Sequence, residues 1–259
     1  MFLHTWSLST FILLIVAGFF AGCINSVAGG GSFLAFPTLL FLGLPPIIAN
    51  ATNNTAMWFG TFGTISGYRE ELAGHYRPLL PAMLIGVAGG LAGAWLLLVT
   101  PEVVFTRLIP WLLLGATLVF AFSARLRRLA GSHDHPGLFA SGTLVPLFLV
   151  GVYGGYFGAA IGILTLALLA LSGVSDVHRA NGIKAIFSFV VNGAAFISFV
   201  VAGKIAWPVA VVLSLAAIAG AYAAARISRK VAPQALRRLI IMIGVCLSAY
   251  FFYKTYIHG

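Results

Sequence analysis

Apolar residues run almost unbroken along the chain, in stretches at Thr10 to Val27, Phe33 to Ile48, Ala56 to Ile65, Leu79 to Val99, Leu108 to Phe122, Leu138 to Leu171, Ile183 to Ala202, Ile205 to Ala225 and Leu239 to Tyr253. About 20 helical residues cross a bilayer core, so runs of this length and continuity predict membrane-spanning helices. No stretch of alternating apolar and polar residues competes with them, which argues against a transmembrane β-barrel. Polar side chains gather in short turns and at two places inside the apolar pattern, and those two places carry the functional argument.

Composition agrees with the pattern. Of 259 residues, 61% are hydrophobic and 8% charged, and the mean hydropathy is +1.04, whereas a soluble domain carries about 25% charged residues. The fold class expected is an all-α polytopic membrane protein. The first apolar segment has no Lys or Arg before it and no small-residue cleavage site after it, so it reads as a retained element. A net charge of +10 suits cytoplasmic loops better than nucleic acid, for which no module is visible. Cys23 and Cys246 lie inside apolar runs and read as buried thiols.

Short loops rich in Lys and Arg stay in the cytoplasm. Three qualify: Arg69 to Arg77, Ser123 to Pro136 with Arg125, Arg127 and Arg128, and Arg226 to Arg238. Placing them inside puts the connections near Pro101 and near Gly203 outside, together with both termini. Leu138 to Leu171, flanked by cytoplasmic loops on both sides, must then leave and return as a hairpin interrupted between Gly151 and Gly162. Thr10 to Val27 and Phe33 to Ile48 form the equivalent hairpin from the outside.

Internal similarity divides the chain the same way. Gly18-Phe19-Phe20-Ala21-Gly22 and Gly29 align at one constant offset with Gly151-Val152-Tyr153-Gly154-Gly155 and Gly162. Residues 1–122 are read as the first repeat, 123–137 as a cytoplasmic basic loop and 138–259 as the second repeat. Each repeat is a Gly-broken hairpin plus three transmembrane helices, an odd number of crossings, so the two are expected to be inverted. In inverted-repeat transporters broken helices meet near mid-membrane and form the substrate site.

The first candidate site is Asn25-Ser26-Val27-Ala28-Gly29-Gly30-Gly31-Ser32. Consecutive glycines cost helix stability and expose backbone amides inside the membrane. A helix restarting near Ser32 aims N–H groups and a positive dipole end at the interior, which suits an anion. Close helix packing by small residues is the plainer use of the same glycines. A bulky Gly30→Leu change is expected to be worse than Gly90→Ala.

The second candidate combines two polar stretches. Asn50-Ala51-Thr52-Asn53-Asn54-Thr55 stands at the entry of a span, and Asn54, Trp58 and Thr61 share one helical face. Asn181, Lys184, Ser188 and Asn192 form a stripe on an otherwise apolar helix. Lys184 is the only cation in the middle of an apolar segment, and an intramembrane ionisable residue is a functional hypothesis by default. If the helix begins near Ala180, Lys184 is only about 6 Å in, and snorkelling to cytoplasmic water is the other reading. The expected substrate-binding set is Asn25, Ser26, Gly29, Gly30, Gly31, Ser32, Thr52, Asn53, Asn54, Trp58, Asn181, Lys184, Ser188 and Asn192, with no catalytic or metal site and no cofactor. His133-Asp134-His135, Glu70, Glu71 and His75 read as solvated loop residues.

Gly18-Phe-Phe-Ala-Gly22 through Asn25, Ala28-Gly29-Gly30-Gly31, Pro37, Gly43-Leu44-Pro45-Pro46 and Ala51-Thr52-Asn53 resemble the sulfite exporter TauE/SafE family over essentially the full chain. Ala180-Asn181-Gly182-Ile183-Lys184 through Asn192 resembles the second-half helix of that family. The resemblance implies around eight membrane helices in two related halves and transport of sulfur-containing anions such as sulfite or small organosulfonates. The second hairpin departs from the pattern, with Gly158-Ala159-Ala160-Ile161-Gly162 where the first has a glycine triplet.

The reading is a secondary transporter or facilitator in the cell (inner) membrane, with a small anion and the lipid bilayer as partners; an anion channel or an intramembrane enzyme is the alternative. No phosphate-binding Gly-x-x-x-x-Gly-Lys motif is present, and Glu70, Glu71, Glu102, Asp134 and Asp176 all fall in loops, leaving no mid-membrane carboxylate to relay a proton. Export of an anion from a cell negative inside gains about 2.3 kcal/mol per charge per 100 mV, so export needs no coupling ion.

Overall fold

Glycine and proline punctuate the apolar runs, and the helices start and stop at them. The structure, a computed structural model, describes residues 7–67, 79–129, 141–159, 161–172, 174, 177–227 and 233–257. Its helices are α1 (Leu8–Ala28), α2 (Ser32–Phe41), α3 (Pro46–Gly67), α4 (Leu80–Val99), α5 (Glu102–Leu129), α6 (Ser141–Tyr156), α7 (Ile161–Leu171), α8 (Val177–Val201), α9 (Trp207–Ile227) and α10 (Pro233–Phe252), the last running on as a π-helical turn, Tyr253–Ile257. No strand occurs among the described residues. Five helices are long and apolar enough to cross a bilayer: Leu8–Ala28, Leu80–Val99, Glu102–Val119, Arg179–Val201 and Trp207–Ile227. The chain is an all-α polytopic membrane protein.

Ser7 opens α1 by accepting the Thr10 amide at 3.2 Å, a serine N-cap. Gly29 closes it with φ +80°, and its amide donates to Ile24 O and Asn25 O. A side chain pays about 1–2 kcal/mol in that left-handed conformation, which is why the break falls on a glycine. Pro46 starts α3 and Pro233 starts α10, positions where the missing proline N–H costs nothing.

Several boundaries differ from those expected. α3 begins at Pro46, so Asn50 lies one turn inside the helix rather than at its entry. α8 begins at Val177, which sets Lys184 about 10 Å in. α5 continues through Arg125, Arg127 and Arg128 to Leu129, so the basic segment expected as loop starts as helix. Arg69 to Arg77 and His133 to His135 lie outside the described residues. Cys246 is exposed rather than buried, and Cys23 is half-buried, donating to Gly220 O at 3.2 Å.

The helices are packed inside out relative to a soluble protein. α4 buries Gly86, Gly89, Gly90 and Gly93 and exposes Leu84, Leu91 and Trp95. Lipid tails are as apolar as leucine, so helices in a bilayer associate through close backbone approach, which small residues permit. A Cβ on Gly18 would lie 2.9 Å from Leu213 O, and one on Gly22 would run into Ala217 O, both on α9. In the same way Gly89 of α4 meets Phe148 O and Gly151 of α6, at 2.7 and 2.9 Å from the added Cβ, and Gly155 of α6 meets Gly90 O. Gly90 is confined as well: its Cβ would come 2.6 Å from Val191 O.

The most extensive packing pairs α1 with α9, α3 with α9, α4 with α6 and α4 with α8. Every one of these joins a helix from the first five to one from the last five. Exchanging α1–α5 for α6–α10 maps α1·α9 onto α4·α6 and α3·α9 onto α4·α8, while α3·α8 and α5·α10 map onto themselves. The aligned glycines Gly18 and Gly22, Gly151 and Gly155, do the same packing work on the two sides.

Candidate functional site

Two broken helices meet at the centre. The reversal between α1 and α2 holds Gly29 against Gly162, the second residue of α7: a Cβ on either glycine would lie 2.5 Å from the other's Cα. These are the residues that align between the halves. A side chain has no room at this contact, so packing accounts for Gly29. Gly31 is equally confined, its Cβ meeting Ala21 O and, at 2.7 Å, Asn25 Cβ. After the break, Phe33 is the first residue whose amide finds a backbone acceptor, Gly30 O at 3.0 Å. Ser32 and Gly30 are buried here.

Lys184 enters this region from α8 and is 2% exposed. Its Nζ donates to Asn25 O at 2.9 Å, to Ser26 O at 2.7 Å and to Asn181 Oδ1 at 3.0 Å. An ammonium has three donors, and all three are used. Two end on the last-turn carbonyls of α1, where the helix dipole is negative and a cation is stabilising. Lys184 therefore reaches neither cytoplasmic water, as snorkelling requires, nor any open space; it caps the carboxyl end of the broken helix.

From the other side, α3 presents Asn50, Asn53 and Asn54, at 1%, 0% and 1% exposure. Asn50 Nδ2 donates to Tyr156 O, the last residue of α6, at 2.9 Å. Asn54 Nδ2 donates to Asn192 Oδ1 of α8 at 3.2 Å, joining the two polar stretches directly. Asn54 also lies against Gly158 in the α6–α7 break, whose Cβ would be 3.1 Å from Asn54 Nδ2. Asn53 makes no hydrogen bond through either amide atom. Trp58 is clamped between Phe196, with centroids 4.5 Å apart, and Phe189, at 5.5 Å, and its Nε1 is buried without a partner beside Gly193.

Buried polar atoms are nearly always paired, because an unpaired one costs about 1–3 kcal/mol. Here Ser26 Oγ, Asn53 Nδ2 and Oδ1, Asn54 Oδ1, Trp58 Nε1 and Ser188 Oγ are all unpaired. Of the expected residues, Asn25, Ser26, Gly29, Asn181 and Lys184 come together at the first break, and Asn54, bonded to Asn192, lies at the second. Thr52 lies apart: its Oγ1 accepts the Ala206 amide at 3.0 Å, just ahead of α9, on another face of α3. Tyr156, Gly158, Gly162 and Gly193 join the site without having been in the expected binding set, as does Asn50, which the candidate stretch included. The offset that pairs Gly29 with Gly162 could have pointed to the last-turn region of α6; nothing in the sequence marks Gly193.

A narrow apolar crevice lies between α4, α6, α7 and α8, lined by Met83, Leu147, Leu168, Ile183 and Phe187 among others. Its polar groups Thr165 and Ser172 are bonded back to Ile161 O and Leu168 O, so it offers a ligand no unpaired polar atom.

A polytopic helical bundle with two glycine-broken helices meeting over a buried polar cluster is the architecture of a membrane transporter. The match of residues 14–251 to the family model for sulfite exporter TauE/SafE shows that the chain belongs to that family. It is 30% identical over 237 residues to a probable membrane transporter protein, ORF9, of Sinorhizobium sp, covering 91% of this chain and 89% of the relative. It is 28% identical over 241 residues to a probable membrane transporter protein of Haemophilus influenzae, covering 92% of each. It is 27% identical over 250 residues to the probable membrane transporter protein YfcA of Escherichia coli, covering 95% and 90%. No solved structure matches the chain.

Proposed function

We propose that the chain is a secondary transporter or facilitator that carries a small sulfur-containing anion, such as sulfite or an organosulfonate, outward across the cell membrane, and that it is not an enzyme. The observation that carries this reading is the set of unpaired buried polar atoms on the helices that meet at the breaks: Ser26, whose carbonyl the Lys184 ammonium bonds, Ser188 one turn along α8 from Lys184, and Asn53 and Trp58 on α3. The donors among them suit an anion's oxygens, and Lys184 adds positive charge without giving up its own bonds. The family description supports sulfur oxyanions as cargo. In this reading the halves are oppositely oriented, both termini lie outside, and the breaks stand at mid-membrane. Outward movement is favoured by the potential, about 2.3 kcal/mol per charge per 100 mV.

Purified protein in liposomes loaded with radiolabelled sulfite tests the reading. Saturable efflux competed by thiosulfate or an organosulfonate is expected. Flux that rises linearly with concentration identifies a channel, and absence of flux for sulfite, sulfate, thiosulfate and sulfonates alike overturns anion transport.

A further inference from the structure

An anion accepts hydrogen bonds and donates none, yet the polar cluster holds three buried oxygens that need something positive: Asn50 Oδ1, Asn53 Oδ1 and Asn54 Oδ1, all unpaired. They belong to one face of α3, at spacings of three and four residues along the helix. Asn50 is fixed in orientation, because its nitrogen donates to a backbone carbonyl, Tyr156 O, and turning the amide over would set oxygen against oxygen. The Asn54 nitrogen is taken by Asn192 Oδ1, which leaves the Asn54 oxygen free. We propose that the Asn50, Asn53 and Asn54 carbonyl oxygens, beside the carboxyl end of α6, bind a monovalent alkali cation such as sodium.

Three observations converge on a cation there. The α6 carboxyl end carries the negative end of a helix dipole, and Tyr156 O keeps a second lone pair beyond its bond from Asn50. Asn54 touches the break itself at Gly158. Side-chain and backbone carbonyls near an interrupted helix are the ligands with which membrane proteins hold alkali ions. The three ligating residues are neutral, which suits one positive charge; a divalent ion of higher hydration cost calls for carboxylates. The equivalent helix end, that of α1, already has its cation in the Lys184 ammonium, which its three hydrogen bonds keep away from α6. Asn53, unpaired at both nitrogen and oxygen, has one end for each kind of ion. A cation moving with the anion would cancel one charge and with it the potential's push outward, so the inference goes beyond the transport reading and bears on its direction.

The test needs no anion but chloride, so it stands or falls separately from sulfite transport. The full chain in lipid nanodiscs is titrated with radioactive sodium over the millimolar range, and its melting temperature is compared in sodium chloride and choline chloride at equal ionic strength. Saturable binding and a higher melting temperature in sodium are expected. Asn53→Ala, which breaks no hydrogen bond, should weaken binding about tenfold or more. Asn53→Asp, which keeps the shape and adds a carboxylate, should tighten it. Gly115→Ala, whose Cβ would meet nothing within 4 Å, should leave it unchanged. No saturable sodium, lithium or potassium binding in the unaltered protein overturns the proposal, as does equal binding in both Asn53 variants.

Discussion

The carboxyl ends of α1 and α6 lie at breaks that touch through Gly29 and Gly162, but they are held by different chemistry. The α1 end is capped by a full positive charge, Lys184, sharing its donors between Asn25 O and Ser26 O. The α6 end is held by a neutral amide, Asn50, through one bond to Tyr156 O. Packing has been kept alike on the two sides while charge has not. A scaffold needs only the packing, so the inequality of charge is where selectivity between ions is to be sought.

The strongest way to break that comparison is Lys184→Met. It takes a donor from Asn25 O, which keeps the Gly29 amide, and from Ser26 O and Asn181 Oδ1, at about 1–3 kcal/mol for each buried group left unpaired. Loss of sulfite flux to background with a lower melting temperature is expected; unchanged flux would remove Lys184 from the mechanism. Next come the glycines of the contact. Both Gly29→Ala and Gly162→Ala push a methyl into backbone, an overpacking cost of about 1–3 kcal/mol, but Gly29, at φ +80°, adds about 1–2 kcal/mol of left-handed strain. Chemical denaturation in detergent should rank Gly29→Ala as the more damaging, and equal effects would show that the break tolerates a change of backbone conformation.

Smaller effects sharpen the picture at its edges. Asn50→Ala removes one bond from the α6 end and is expected to cost about 1–2 kcal/mol, less than Lys184→Met at the α1 end. Thr52→Val takes the acceptor from the Ala206 amide, about 1 kcal/mol, and should leave the sulfite concentration for half-maximal flux unmoved; a shift there would put Thr52 back among the binding residues. Gly115→Ala should stabilise α5 by up to about 1 kcal/mol, the helix preference of alanine over glycine, and serves as the baseline for thermal melts.

Much of the fold was legible because lipid imposes long apolar runs and because glycine and proline end helices for local reasons. The turn at Gly43, with φ +82°, and the break at Gly29 are both written in the residues themselves. The polar stripe of α8 was equally clear, since four polar positions at helical spacing stand out on an apolar background. What Lys184 touches was not, because its partners are backbone carbonyls, which every residue carries, and their availability depends on where α1 ends. The purpose of the glycine triplet was ambiguous for the same reason: an exposed amide and a close contact call for the same residue. The bond Thr52 makes was not legible, because a threonine beside Asn53 reads as part of a polar group, whereas its hydroxyl accepts the Ala206 amide ahead of α9. The role of Asn50 went unassigned because it depends on Tyr156, distant along the chain and itself contributing only a carbonyl.

The interleaving of the two halves also dictates how the protein must be made. The surface of α1 around Gly18 and Gly22 packs closely on the backbone of α9. At synthesis rates of about 5–20 residues per second, that face waits roughly 10–40 s in the insertion machinery or in bare lipid before its partner emerges. A nascent chain of this kind has reason to rely on an insertase or a chaperone to shield its glycine faces, and slowing translation before α9 should raise the share degraded.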